Sequence, residues 1–356
     1  MNQLWSQLAR ELLPYVPGEQ PRRANLVKLN TNESPFGPSP LALEAMRAAV
    51  ADTMRLYPDP EATELREALA AHHGVKPEQV FVGNGSDEVL GHAFVALLKQ
   101  EKPLLFPDVT YSFYPVWAQL FGLACETVPL DGDMRIRVED YRRKAGSIVI
   151  ANPNAPTGVA LSRAEIAQLL EDHPDIPVLI DKAYVDFGGE SAVPLITRHP
   201  NLLVVQTMSK SRALAGLRVG YALGDAGLIE ALRRVKDSFN SYPLSRIAQA
   251  GATASVRDEA HFRESCARVI AGREAMTRQL IKLNFAVLPS STNFVFARHP
   301  GRSGSELATA LRERAVLVRH FSTPRATPYL RITVGTDDDT LRLIAAAADI
   351  LGGLVA

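Results

Sequence analysis

The sequence predicts an α/β protein: a mostly parallel sheet with helices on both faces, followed by a smaller α+β domain. Three observations predict it. Between about residues 63 and 245, helical and strand patterns alternate along the chain. Within that span several strand segments, such as "SIVIA" and "LLVVQT", are nearly all apolar, as in a sheet covered on both sides. After about 245 the strands become sparser and return toward antiparallel hairpins.

Up to about residue 60 the chain is rich in Pro and Asn, as in "LNTNESPFGPSP" and "YPDP", which reads as an extended arm with turns and short helices. "TELREALAAHHG" has helical spacing and a Gly stop, and "QVFVG" is a short strand. "SDEVLGHAFVALLK" then reads as a helix N-capped by Ser86 with acids in its first turn. Strands follow at "PLLFPDV", "LACETVPL", "SIVIANP", "IPVLIDKAY", "LLVVQTMS" and "VGYALG", with helices near 112–121 and from Ser162. One long helical stretch covers 244–283, and "FAVLPSSTNFVFAR", a helix, "VLVRHF", "YLRITVG" and a final helix complete the chain. The expected division is an N-terminal arm and part of the small domain at 1–30, a large domain at 31–245 and a small domain at 246–356.

The 356 residues are 46% hydrophobic and 22% charged with zero formal net charge, which fits a globular protein and argues against nucleic acid or an anionic membrane as main partner. Cys125 and Cys266 are the only cysteines and have no CxxC spacing. They read as two buried thiols in a reducing cytosol, with no metal site and no disulfide framework. No run of 18 apolar residues suggests a membrane span, and the N-terminus is not that of a signal peptide.

Five stretches could carry chemistry. "GNGSDE" (83–88) lies between a strand and a helix, where Gly85, Ser86 and Asp87 would offer backbone N–H groups to an anion. A capped Gly turn has the same sequence, so alone this is weak. "VTYSFY" places Tyr111 after a strand, as a plate for a flat ligand or as ordinary packing. "NPNAPTG" (152–158) makes a rigid turn at a strand end. Asp181 ends an apolar strand with Tyr184 three residues on, and a carboxylate there needs a cation or donors, functional or structural. "TMSKSRALAGLRVGY" carries Lys210 beside Ser209 and Arg218 eight residues later, where a solvated charge is the simplest reading. Together the five fall at strand ends where an α/β sheet builds its site. A phosphate cradle, an aromatic plate, an acid, a phenol and a lysine suit a flat, phosphorylated, aldehyde-bearing pyridine.

On these stretches, with "LLPYVPG", "DKAY", "VLVRHF" and "YLRITVGT", the chain resembles the fold-type-I pyridoxal-5′-phosphate aminotransferases over nearly its whole length. The resemblance implies a large domain with a mostly parallel seven-stranded sheet, a cytoplasmic homodimer, and pyridoxal 5′-phosphate as cofactor. It implies that Lys210 holds the cofactor aldehyde covalently and serves as the base on the substrate Cα. Asp181 would face the pyridine nitrogen, Tyr184 the phenolate oxygen, and Tyr111 would stack on the ring. Gly85, Ser86, Asp87, Ser209 and Arg218 would hold the phosphate, with Tyr57 reaching the partner subunit's cofactor. Tyr15, Arg319 and Arg331 would bind substrate. The activity implied is amino transfer from L-histidinol phosphate to 2-oxoglutarate. Alternatives are an aminotransferase for aromatic or other amino acids, a decarboxylase of threonine phosphate, or a non-enzymatic regulator. The chain departs from the family pattern in three places. Ala155 stands where an Asn commonly supports the phenolate oxygen, Lys182 where Glu is usual, and Arg212 where some members have an aromatic. By strand alternation Lys182 should point away from the ring.

Overall fold

Strand residues alternate between faces, and in the central segments both faces are apolar, so both must be covered. The computed structural model describes residues 4–21 and 25–352. The first three residues of the arm, residues 22–24 and the last four of the small domain lie outside the described residues. The strands are β1 (Val27–Leu29), β2 (Val80–Gly83), β3 (Leu104–Pro107), β4 (Cys125–Val128), β5 (Ser147–Ala151), β6 (Val178–Asp181), β7 (Leu202–Thr207), β8 (Gly220–Gly224), β9 (Ala286–Val287), β10 (Phe294–Arg298), β11 (Val316–His320) and β12 (Leu330–Thr333). The helices are α1 (Gln7–Glu11), α2 (Pro40–Ala49), α3 (Thr63–His73), α4 (Gly85–Ala93), α5 (Tyr114–Phe121), α6 (Arg163–Asp172), α7 (Ala226–Phe239), α8 (Arg246–Arg257), α9 (Glu259–Lys282), α10 (Gly304–Glu313) and α11 (Asp337–Leu351).

The large sheet has seven strands in the order β2-β8-β7-β6-β5-β3-β4. Ile148, Ile150, Val178 and Ile180 face one core with α3, α6 and α8. Val149, Ala151 and Leu179 face the other with α4, α5 and α7. Each fully buried Leu or Ile contributes about 1.5–3 kcal/mol. A helix such as α6, which buries Ile166, Leu169 and Leu170, is therefore held by packing more than by propensity. The small sheet runs β1-β11-β12-β10-β9, with β1 from the N-terminal arm pairing parallel to β11.

Strand β8 is antiparallel to both neighbours, β2 and β7, so the sheet is mostly but not wholly parallel. Three expectations are corrected. The stretch 244–283 is two helices, not one: Asp258 ends α8 and, accepting from the His261 N–H, caps α9. Ala248, Ala252 and Val256 of α8 pack in the large core, and Cys266, Val269 and Met276 of α9 pack in the small one. Ser86 is not the helix cap: α4 begins at Gly85, whose φ of +83° admits the turn, and Asn84 is its N-cap. Finally, Cys125 is exposed while Cys266 is buried, because β4 is the edge strand with Cys125, Glu126 and Thr127 uncovered.

The antiparallel course of β8 positions the site. Thr207 at the end of β7 pairs with Gly220 at the start of β8, and Gly220 pairs with Gly83 at the end of β2. Three chain segments thus meet at one sheet edge. They meet so closely that a Cβ on Gly220 would lie 2.3 Å from the Ser86 nitrogen and 2.4 Å from the Gly85 carbonyl carbon. Gly220→Ala should therefore cost about 1–3 kcal/mol by overpacking, read as a lowered midpoint in denaturant unfolding.

Candidate active site

One cleft of about 270 Å³ opens at this edge and reaches the small sheet. Tyr15, Ser86, Asp87, Tyr111, Asp181, Tyr184, Ser209, Lys210, Arg218, Arg319 and Arg331 all line it. Gly85 lies beneath Arg218, where a Cβ would meet the guanidinium at 2.5 Å. Tyr57 is not among the lining residues; it is 78% exposed and stacks on Tyr242 with ring centroids 4.7 Å apart.

Asp181 ends the central strand β6 and is buried. Its carboxylate accepts from Tyr114 Oη at 3.1 Å and from the Ala183 N–H at 3.3 Å. Burial outweighs those two hydrogen bonds and lifts its pKa to about 6, and Asp87 adds to the rise. A carboxylate held this way favours a cationic partner, which ionises it again. Tyr184 accepts from Asn32 Nδ2 at 2.9 Å, which leaves its own proton free to be donated. Lys210 Nζ rests 3.4 Å from the Thr31 carbonyl and 5.9 Å from the Tyr184 ring centre.

The anion end is built from α4 and the loop between β7 and β8. Helix α4 has no side-chain cap, so its first-turn N–H groups are available to an anion. Arg218 enters at φ +54°, with Nη1 3.5 Å from Ser209 Oγ and Nη2 3.3 Å from Asp87 Oδ2. The Asp87 carboxylate also accepts from Tyr111 Oη at 3.1 Å. Asp87 therefore orients Arg218 and Tyr111 with its side chain, and only its backbone N–H is suited to an anion. Thr207 Oγ1 donates to Ser209 Oγ at 2.9 Å.

At the other side Arg331 Nη2 donates to the Asn30 carbonyl at 2.9 Å, while its Nε has no partner. No carboxylate pairs with it among the described residues; the Phe294 and Phe321 rings lie 5.4 and 5.5 Å away. Burial presses against its charge, and Arg319 adds to that. Arg319 donates to the Val16 carbonyl at 3.3 Å, and Tyr15 stacks on Phe113 at 4.4 Å.

The departures acquire physical accounts. Ala155 lines the cleft without a donor, and the Asn32 amide is the group that orients Tyr184. Asn154 is committed elsewhere, to Thr110, Val109 and Thr157. Lys182 lies on the opposite face of β6, buried, with Nζ 3.5 Å from Ser191 Oγ; burial lowers its pKa to about 8. Arg212 donates to the Ser255 carbonyl at the end of α8 and lies 4.1 Å over the Phe262 ring. Sequence reading missed Thr207, Asn32, Tyr114 and Gly220. All four stand inside quoted stretches, but nothing local marks which residue turns inward or lies against a distant backbone.

The residues fit pyridoxal 5′-phosphate: a buried carboxylate lacking a cation, an amine, a phenol, an aromatic plate and an uncapped helix start backed by arginine. Among the described residues no group of three or more His, Cys, Asp or Glu is placed to hold a metal ion, and no helix is long and apolar enough to cross a membrane.

The comparisons with known proteins agree. Aminotransferase class I and II is the family that matches residues 24–347. The chain belongs to the class I and II aminotransferases. Histidinol-phosphate aminotransferase 2 of Rhizobium meliloti (strain 1021) is 61% identical over 351 residues, 99% of this chain and 100% of the relative. Histidinol-phosphate aminotransferase 1 of Bradyrhizobium diazoefficiens is 62% identical over 351 residues, with the same coverage. The crystal structure of histidinol-phosphate aminotransferase from Sinorhizobium meliloti in complex with pyridoxal-5′-phosphate superposes with a TM-score of 0.88 at 27% identity, covering 99% of this chain and 98% of that one.

The raised pKa of Asp181 has a signed consequence for this aminotransferase. Between the ordinary carboxyl value of 3.8 and about 6 the folded, cofactor-free protein holds the proton that the unfolded chain releases. Burial of this group therefore costs stability increasingly as pH rises through that window. Affinity for a cationic ring nitrogen runs the other way, full above about 6 and falling below it. Titration of apoprotein with cofactor from pH 7.5 to 5 should show the fall. Asp181→Asn should bind about tenfold or more weakly at pH 7.5 and lack that step.

Proposed function

We propose that this aminotransferase moves the amino group of L-histidinol phosphate to 2-oxoglutarate, with pyridoxal 5′-phosphate as cofactor, in histidine biosynthesis. The observation that carries the substrate reading is Arg331, unpaired at Nε, beside Arg319 in the cleft that holds Lys210. Relatives bearing the histidinol-phosphate aminotransferase name match the chain almost end to end. Two substrates must use one cleft in turn, and both are anions. A guanidinium fork accepts phosphate or carboxylate in the same geometry.

Pyridoxal phosphate, when bound, supplies an electron sink that acidifies the substrate Cα–H. The residues of the chain do the rest. Asp181, ionised, holds a proton on the ring nitrogen. Tyr184, oriented by Asn32, donates to the phenolate oxygen. Gly85, Ser86 and Asp87 offer N–H groups to the phosphate with Ser209 and Arg218. Lys210 is the covalent anchor and, when its amine is free, the base that takes the proton from the substrate Cα.

The same reading includes a homodimer. Tyr57, stacked on Tyr242, and the apolar side chains of Met54, Leu56 and Phe239 are exposed, and exposed apolar groups of this kind mark interaction sites. A second copy of this chain would cover them, with Tyr57 reaching the partner's cofactor phosphate. A cytoplasmic location suits the free thiols of Cys125 and Cys266.

Lys210→Ala should lose the visible absorbance of the anchored cofactor and lower kcat by roughly 10³-fold or more; a normal spectrum in that variant would sink the lysine assignment. Single half-reactions with histidinol phosphate, phenylalanine, tyrosine and threonine phosphate rank donors. Histidinol phosphate should react fastest, with KM raised about 10–100-fold in Arg331→Met. A cleft lined by Tyr15, Tyr111 and Tyr184 also suits aromatic amino acids, and faster reaction of phenylalanine would transfer the assignment to them. Sedimentation should give a dimer, and Tyr57→Phe should weaken cofactor binding severalfold without dissociating it.

A further inference from the structure

We propose that Asp186 is a positioning residue for Lys210, tying the turn that carries the lysine to the strand end that carries Asp181 and Tyr184. The inference rests on Lys210 being the reactive amine. Asp186 lies five residues beyond Asp181, in the short helical turn Val185–Phe187. Its Oδ2 accepts two hydrogen bonds, from Ser211 Oγ at 2.6 Å and from Gln206 Nε2 at 2.7 Å. Ser211 immediately follows Lys210, and Gln206 lies on β7 just before the turn; both are buried. The lysine turn is thus gripped on both sides by a single carboxylate oxygen.

The grip extends through the face of the sheet opposite Asp181. Gln206 Oε1 accepts from Tyr221 Oη at 2.7 Å, and Tyr221 Oη lies 2.9 Å from His73 Nε2 on α3. Since the tyrosine proton is given to Gln206, His73 must donate, which it does as the neutral ring: burial pushes its pKa down to about 2. Lys182, which follows β6, faces this carboxylate with its charge, and the His72 ring on α3, whose pKa burial lowers, and the Cys266 thiol on α9 both feel it. The rest of the turn is pinned independently. Arg212 holds the Ser255 carbonyl, and Arg273 of α9 donates to the Phe187 carbonyl at 2.7 Å.

The physical argument concerns reach. A lysine amine swings on a four-carbon stem, so only the backbone at residues 210 and 211 sets where it can go. Two charge-assisted hydrogen bonds to a half-buried carboxylate hold that backbone more firmly than neutral contacts would. A displacement of about 1 Å at a reacting group costs up to roughly 10²-fold in rate. No element of the network touches the cleft: Asp186, Gln206 and Ser211 are absent from its lining. Their effect on chemistry is indirect, through the backbone turn that carries Lys210.

The test compares the parent holoenzyme with Ser211→Ala, which removes one hydrogen bond without adding bulk, and Asp186→Asn, which keeps shape and removes charge. Three readouts are taken: the pH midpoint of the bound cofactor's visible absorbance, the rate at which borohydride fixes cofactor on the Lys210 peptide by mass, and kcat against KM. Both variants should move the midpoint in the same direction by roughly half a pH unit or more and slow the borohydride fixation severalfold. They should lower kcat about tenfold with KM changed less than roughly twofold. Ser211→Ala with the parent's midpoint, fixation rate and kcat, and only a lower melting temperature, would overturn the proposal. If Asp186→Asn does not fold, Ser211→Ala decides alone. A parent protein that shows neither the absorbance nor fixation at Lys210 would overturn the reading of the site, and the positioning role with it.

Discussion

The rest of the candidate site is arranged around a carboxylate buried without a cation. Asp181 stands at the tip of the central strand β6, satisfied by a phenol and one backbone N–H, with its pKa lifted to about 6. Such a group is costly in the empty protein and is relieved by a positively charged ring. Its place is fixed by the sheet, since its neighbours in register are Ala151 on β5 and Val205 on β7. A site built on that tip inherits the rigidity of three paired strands.

The same sheet edge receives the anion cradle for a topological reason. Strand β8 runs against its neighbours, so the loop that leaves β7 with Ser209 and Lys210 returns at the same edge with Arg218. Next to it β2 ends and α4 begins, uncapped. Gly220 and Gly85 permit the contact, one by lacking a side chain where backbone passes backbone, the other by taking a positive φ. Amine, guanidinium and helix start converge because one strand is reversed.

Opposite faces of β6 divide the labour. Asp181 points toward the cleft and Tyr114, while Lys182 and the segment ending in Asp186 engage a buried network reaching α3 and the α8–α9 corner. Lys182 and Arg212, the two charged departures from the family pattern, both belong to that second face. There they are paired or stacked and do not line the cleft. Ala155 is a departure of another kind: it removes a donor from the cleft, where Asn32 orients Tyr184.

Much was legible in the residues themselves. Nearly all-apolar strands required a sheet covered on both faces, strand alternation required Lys182 to turn away from Asp181, and Gly-rich turns at strand ends marked where a ligand could approach. These are local properties, set by periodicity and backbone freedom. The chain alone did not decide that β8 is antiparallel, that Asp258 divides the long helical stretch, that helix α4 starts before Ser86, or that Cys125 sits on an uncovered edge. Nor did it single out Asn32, Thr207, Tyr114 or Asp186. Each of those outcomes depends on which distant segment lies alongside, and a polar side chain acquires its role only when a partner far away in sequence is folded to within hydrogen-bonding distance.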